Sequence, residues 1–442
     1  MAGPSEPVHV LSVGAWSPVV ERLWAAGAET SLLCDAEMLD QHQGLSEHRS
    51  VTVTRAAGLE ELVALAEGVH ARAPLSHAVS FDDTSMVAAA RIREELGLGG
   101  GDPSTVVGTV HDKDRYRSAL TGTPAAVPHA VVGSVDDVLR FGRTHGWPIV
   151  VKPVSGSGSA GVTLGVGPDG AADALARATV RTHYTPTGRA MAEVQVRGRV
   201  ITVDTLSHAG AHEVMSIGFE LPGAAHPAMM IYGVPAPLTD TERRDVVGTV
   251  TSALARLGVT TGPAHTELLL TAEGTPVLIE TQLRPGGDFP ELTLAASGLD
   301  VYDAWARQLL GEDPLPRIRE AAASAGTCAV IACGAPDVEA DYLELRDLDE
   351  VRAHDDVAGV RVLRQPPYRS ASARTRDDLS VTVMSTAPTA QLALRRAVRA
   401  LGGARMRVTT HGGGGAAGPP PVGLEPRTST AGGRPFKSEE AP

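Results

Sequence analysis

The chain has 442 residues, 43% of them hydrophobic and 21% charged, a length and balance that suit a globular protein of two to four domains. A formal charge of −13 argues against a general binder of nucleic acid or of an anionic membrane. No apolar run reaches the roughly 20 residues that span a bilayer, and Met1-Ala2-Gly3-Pro4-Ser5-Glu6-Pro7 lacks the basic and apolar regions of a signal peptide. Cys34, Cys328 and Cys333 form neither a metal spacing nor an even disulfide set, so a reduced, cytoplasmic setting is expected.

Residues 7–104 alternate strand and helix patterns. Strands are predicted at 8–13, 30–34, 50–53 and 77–80, with helices near 19–26, 59–71 and 85–96. This rhythm predicts a parallel α/β layer. Gly14 opens no Gly-x-Gly-x-x-Gly fingerprint, so no dinucleotide site is expected there. Asp82 and Asp83, at the tip of the fourth strand, either bind a substrate ammonium or cap the helix that follows.

A second unit, 105–190, carries Lys113 on a helix, a strand near 128–132, a helix at 135–144, and the apolar run Trp147-Pro148-Ile149-Val150-Val151. That run leads into Lys152-Pro153-Val154-Ser155-Gly156-Ser157-Gly158-Ser159-Ala160-Gly161. Glycines and small hydroxyl residues let backbone N–H groups approach an anion, with a lysine as the adjoining point charge. The lysine precedes the glycines, so this is not a Walker loop. Only three lysines occur, Lys113, Lys152 and Lys437, in a chain whose default cation is arginine. Two retained in foldable sequence suggest sites needing a compact ammonium.

From 191 to 318 the sequence predicts two strands around a turn at Arg197-Gly198-Arg199, a long helix at 240–257, and a hairpin. His226, Met229, Met230 and Tyr232 fall in a stretch read as irregular, either lining a substrate pocket or packing. In the hairpin, a turn centred between Glu273 and Gly274 sets Glu267 opposite Glu280. Their Cβ atoms would lie roughly 4.5–5.5 Å apart, destabilising unless a positive charge intervenes. By strand alternation Gln282 and Arg284 share the face of Glu280. Two carboxylates and an amide oxygen suit Mg²⁺, which binds through few protein ligands and substrate phosphates. His265 is either a supporting partner of this set or a structural histidine. Residues 319–411 read as a last α/β piece. The Gly/Pro/Ser/Thr-rich stretch 412–442 reads as a disordered tail.

The whole order of elements, from residue 8 to 410, resembles an ATP-grasp protein, most of all the carboxylate–amine ligases that include the L-amino-acid ligases. The resemblance implies an α/β ATP-grasp fold with an N-terminal Rossmann-like domain and a C-terminal α/β subdomain. It implies ATP contacts from Lys113, Lys152, Ser155, Gly156, Ser157, Gly158 and Ser159, with Glu193, Val194 and Val196 bordering the adenine. It implies Mg²⁺, as two ions replaceable by Mn²⁺, on Glu267, Glu280 and Gln282. Arg284 and Lys152 are the catalytic residues it implies, Lys152 with Lys113 holding the α/β-phosphate oxygens and Arg284 stabilising the acyl phosphate and the tetrahedral oxyanion. Asp82, Asp83, His226, Tyr232, Gly286 and Gly287 are the substrate candidates.

The chain departs from the family twice: Gln282 stands where the family has Asn, in a sequence with no asparagine at all, and the family's ribose-binding carboxylate falls at Val200. The implied activity is ATP-dependent amide or peptide-bond formation through an acyl phosphate. The alternatives are a phosphoryl-transfer enzyme that stops at the phosphorylated product, or a non-catalytic nucleotide-binding regulator. Expected partners are small-molecule carboxylates and amines, without nucleic acid or membrane; a homodimer is left open.

Overall fold

A computed structural model describes residues 7–156, 158–182, 187–222, 230–324, 326–334, 340–370, 379–410 and 424–426. Three layered regions position the site.

The first is a four-stranded parallel sheet in the order Ser50–Thr54, Glu29–Asp35, His9–Val13, His77–Ser80, as the β-α alternation predicts. Its central strand His9–Val13 is buried along its whole length. The helices Leu59–Arg72 and Met86–Leu96 pack on it through Val63, Ala66, Val69, Ala89 and Ile92.

The second is a four-stranded antiparallel sheet in the order His129–Val132, Ala190–Val194, Ile149–Pro153, Thr163–Val166. The helix Val135–His145 covers it, opened by a capping box in which Ser134 and Asp137 satisfy each other's backbone N–H. Here the sequence reading needs correcting. Ala190–Val194 and Arg199–His208 do not form a hairpin about Arg197-Gly198-Arg199. The first pairs within this small sheet and the second crosses to the large one. Four residues of linker, 195–198, separate two layers.

The third is an eight-stranded antiparallel sheet: Pro276–Gln282, Gly262–Leu270, Arg199–His208, Ala211–Pro222, Met230–Val234, Cys328–Gly334, Val381–Ala387, Gly359–Val362. Val246, Val250, Ala253 and Leu254 of the helix Asp240–Leu257 share one core with Ile201, Val203 and Leu268 of the sheet. Thr239 and Glu242 form that helix's capping box, and Gly258 ends it in the left-handed region. The last three strands come from residues 319–411, the last α/β piece. They continue the same sheet, through Met230–Val234 against Cys328–Gly334.

Tyr232 lies in that strand and is 2% exposed, so the irregular reading around it is also corrected. A small sheet of Tyr368–Ser370, Ala340–Arg346, Arg405–Thr410 and Leu424–Pro426 completes the fold. Beyond residue 411, expected as tail, Leu424–Pro426 runs parallel to Met406–Val408; the other residues expected as tail lie outside the described ones.

Candidate active site

Between the small sheet and the hairpin edge of the large one lies a cleft of about 500 Å³. Lys113, Lys152, Gly156, Ser159, Glu193, Val194, Val196, Glu267 and Glu280 line it together, residues far apart in sequence. Each is placed by a specific local device.

Asp112 caps the helix Lys113–Ala119, its carboxylate accepting from the N–H groups of Asp114 and Arg115. Lys113 therefore stands on the first turn. Its backbone N–H donates to Val154 O at 2.8 Å, and its Nζ donates to Gly156 O at 2.8 Å. This ties the helix to the Gly/Ser loop at two points. The same ammonium is 2.9 Å from Glu280 Oε2.

Lys152 emerges at the end of the buried strand Ile149–Pro153 and donates to Glu193 Oε1 at 2.6 Å. Arg117, one turn beyond Lys113, donates to the other oxygen of Glu193 at 3.0 Å and to Leu278 O at 2.6 Å. Burial works to raise the Glu193 carboxyl, but Lys152 and Arg117 outweigh it and hold it below the usual range. Burial lowers the Lys152 ammonium, and Glu193, shared with Arg117, does not fully restore it. An anion bound at Lys152 would supply the missing counter-charge. Glu193 thus supports Lys152 from within the cleft, where the resemblance implied a border of the adenine. Ser155 Oγ is buried and has no hydrogen-bond partner among the described residues. Gly158 is exposed, and Ser157 lies outside the described residues.

The carboxylate hairpin contains a feature the sequence reading did not foresee. Near the turn, Leu268, Leu269 and Leu270 face Leu278, Val277 and Pro276. On that register Glu267 would face Ile279, and Glu280 would point to the opposite side of the sheet. A bulge at Ile279 shifts the register by one, so that Glu267 faces Glu280. The two carboxylates share the cleft face because of that extra residue.

Burial raises both carboxyls. At Glu280 the Lys113 ammonium outweighs burial and drives the value down to about 2. At Glu267, burial and the facing Glu280 and Glu220 carboxylates push it up to about 8. A divalent cation between them would remove that penalty. Among the described residues, no three His, Cys, Asp or Glu side chains already converge at metal-holding spacing. The hairpin therefore offers two carboxylates and the Gln282 amide, a set that fits Mg²⁺ completed by phosphate oxygens. Gln282 Nε2 donates to Glu280 Oε1 at 3.0 Å; the amide turned end for end presents its oxygen instead.

His265 supports Glu267 from below. Its Nδ1 is 2.9 Å from Asp204 Oδ1 and its Nε2 is 3.8 Å from Glu267 Oε1. Burial lowers its pKa, but Asp204 outweighs that and the net shift is upward. A Cβ on Gly286 would lie 2.0 Å from this ring, so only glycine lets the loop after Arg284 pass over it. Gly286 is buried against His265, whereas Gly287 is exposed.

Arg284 does not line the cleft. Its Nε and Nη2 donate to the two oxygens of Asp83 at 2.9 and 2.7 Å, and its Nη1 donates to Pro285 O. Asp82 is consumed by the turn: it accepts from the N–H groups of Thr84, Ser85 and Ala15. Tyr232 packs edge-on against Phe289, with ring centroids 5.8 Å apart, and its hydroxyl donates to Met230 Sδ at 3.3 Å. His226 lies outside the described residues.

Two cleft residues escaped the sequence reading. Arg117 carries a legible signal, four residues after Lys113 on one helix face. Glu220 carries none: it stands opposite Val200 only because Ala211–Pro222 pairs with Arg199–His208.

Known proteins share part of this sequence and much of this fold. Residues 145–290 match the family model of the ATP-grasp domain. The fold superposes on an L-amino acid ligase from Bacillus licheniformis with a TM-score of 0.77 and 18% identity, over 92% of this chain and all of that one. It also superposes on the biotin carboxylase domain of Hydrogenobacter thermophilus 2-oxoglutarate carboxylase, determined as a dimer with MgADP, with a TM-score of 0.67 and 16% identity, over 90% of each chain. An uncharacterized protein of Sinorhizobium fredii, y4rH, is 29% identical over 53% of this chain. The match spans about half the length of that relative. The family match thus covers residues 145–290, and the fold shared across nearly the whole chain is the ATP-grasp fold.

Proposed function

We propose that the chain is an ATP-dependent carboxylate–amine ligase that joins amino acids or similar small molecules through an acyl phosphate. The observation that carries this is the single cleft holding two buried-rooted lysines at one end and an opposed carboxylate pair at the other. In the reaction, a carboxylate oxygen of one substrate attacks the γ-phosphorus of ATP and ADP departs. The amine of the second substrate then attacks the acyl carbon, and inorganic phosphate departs with the carboxylate's oxygen.

Lys113 and Lys152 would hold phosphate oxygens, and the N–H groups of the Ser155–Ser159 loop would complete the cradle. Mg²⁺ on Glu267, Glu280 and Gln282 would neutralise charge on the transferred phosphoryl. Glu220, opposite Val200, would offer the ribose hydroxyls the carboxylate that position 200 lacks. Arg284, just past the metal ligands, would meet charge that develops at the acyl phosphate. The likeness to an L-amino acid ligase supports this choice of substrate class.

Amino acids supplied singly and in pairs, with ADP release and product mass read together, test the reading. The ligase requires ADP release that depends on the amine, and a product of the summed mass less water. ADP release with one carboxylate alone, yielding a stable phosphorylated product, would make it a kinase.

A further inference from the structure

We propose that Asp83, in the N-terminal sheet, is the positioning residue for Arg284, so that a turn 201 residues away in sequence sets the aim of the arginine on the reacting phosphoryl. This rests on the ligase reading of Arg284 given above.

Three observations carry it. First, the contact is a two-point fork. Arg284 Nε and Nη2 meet Asp83 Oδ1 and Oδ2 at 2.9 and 2.7 Å. A planar guanidinium gripped at two N–H groups has its plane fixed, not merely its charge balanced. Second, the pair is little exposed, at 18% and 11% for the two side chains, so solvent screens it weakly.

Third, Asp83 is itself held rigidly. The adjoining Asp82 carboxylate accepts from Thr84 N at 2.8 Å and Ser85 N at 2.7 Å, closing the turn after His77–Ser80. Its other oxygen accepts from Ala15 N at 2.8 Å, tying that turn to the one after the neighbouring strand His9–Val13. The two turns meet only because Gly14 stands between them. Its φ is +91°, and a Cβ there would lie 2.1 Å from Asp82 Oδ2. On the opposite side, Gly286 locks the loop after Arg284 onto His265.

Asp83 is also one of the residues around a small recess with His111, Lys113, Gln282 and Glu280, beside the carboxylate pair. A carboxylate in that place could instead receive a substrate ammonium. In this structure both of its oxygens accept from Arg284, which favours the positioning role. An arginine fixed in advance reaches its transition-state position without reorganising, and a misplacement of about 1 Å can cost roughly a hundredfold in rate.

The test is a double-mutant cycle on the full chain. Asp83→Asn, Arg284→Ala and the double variant are assayed for amine-dependent ADP release at saturating Mg²⁺–ATP, with melting temperatures recorded alongside. Asp83→Asn should lower kcat by roughly tenfold to a hundredfold, with the KM for ATP changed by less than about threefold. In the Arg284→Ala background the same change should have no further effect, because nothing remains to be aimed. Should the amide variant not fold, Asp83→Glu, which keeps the charge and shifts the fork, takes its place in the cycle.

A slow Arg284→Ala beside a normal Asp83→Asn would overturn the pairing alone. So would additive losses, or an Asp83 variant that changes only the KM for the amine. Wild-type turnover in Arg284→Ala would overturn the role of Arg284 and this inference with it.

Discussion

Glu193 carries two cations at once, and that double duty makes it the residue whose loss is most legible in solution. Lys152, Arg117 and Glu193 are almost wholly buried. Glu193→Gln would strand two positive charges, a change that costs about 3–5 kcal/mol when a buried pair is broken. The Glu193 pKa is lowered in the fold. Its contribution is therefore complete above the unfolded carboxyl's value of about 4.3 and lost as pH falls through the lower folded value. Urea denaturation at a series of pH values should show the gap between wild type and Glu193→Gln closing below pH ~4.3. A gap independent of pH would contradict the ion-pair account. At the proposed metal set, Glu280→Gln keeps the volume and removes the charge. It should fold, bind less Mg²⁺ and lose more than about a hundredfold in kcat, or roughly 2.7 kcal/mol of barrier. Near-normal turnover at saturating Mg²⁺ would remove Glu280 from the site. Glu220→Gln should raise the KM for ATP several-fold with kcat nearly kept; an unchanged KM would take Glu220 out of the nucleotide site.

The hairpin shows how an element can be read correctly for the wrong reason. A regular register centred between Glu273 and Gly274 does set Glu267 against Glu280, and those residues do face each other. Yet the strands leave the turn one residue out of that register, and the bulge at Ile279 restores it. Residue types reveal strand and turn; a bulge depends on pairing energies along the whole ladder, which local sequence does not encode. Insertion of one alanine between Ile279 and Glu280, with the bulge kept, should set the inserted residue opposite Glu267 and carry Glu280 and Gln282 to the far face. Circular dichroism would stay close to wild type while Mg²⁺-dependent ADP release fell at least as far as in Glu280→Gln. Retained activity would show that the register does not set the site.

Across the whole molecule, what was readable was local. The helix Asp240–Leu257 and the strand His77–Ser80 follow from local sequence pattern. The lysine count drew attention to Lys113 and Lys152 before any contact was known. What was not readable was pairing at a distance. Ala190–Val194 joins His129–Val132 and Ile149–Pro153 in place of the strand just after it. The C-terminal strands extend a sheet begun more than a hundred residues earlier. Asp83 meets Arg284 across layers that no local pattern connects.

In the proposed reaction these layers converge on one step, transfer of a phosphoryl group to a carboxylate oxygen that leaves with phosphate when the amine attacks. Isotope tracing tests it most directly. The carboxylate substrate is labelled with ¹⁸O in both oxygens and turned over with Mg²⁺–ATP and the amine, and the phosphate is analysed by mass. One ¹⁸O should appear in inorganic phosphate for each amide bond formed, with none in the nucleotide. Label in AMP, or amide formation that leaves the phosphate unlabelled, would contradict the acyl-phosphate route.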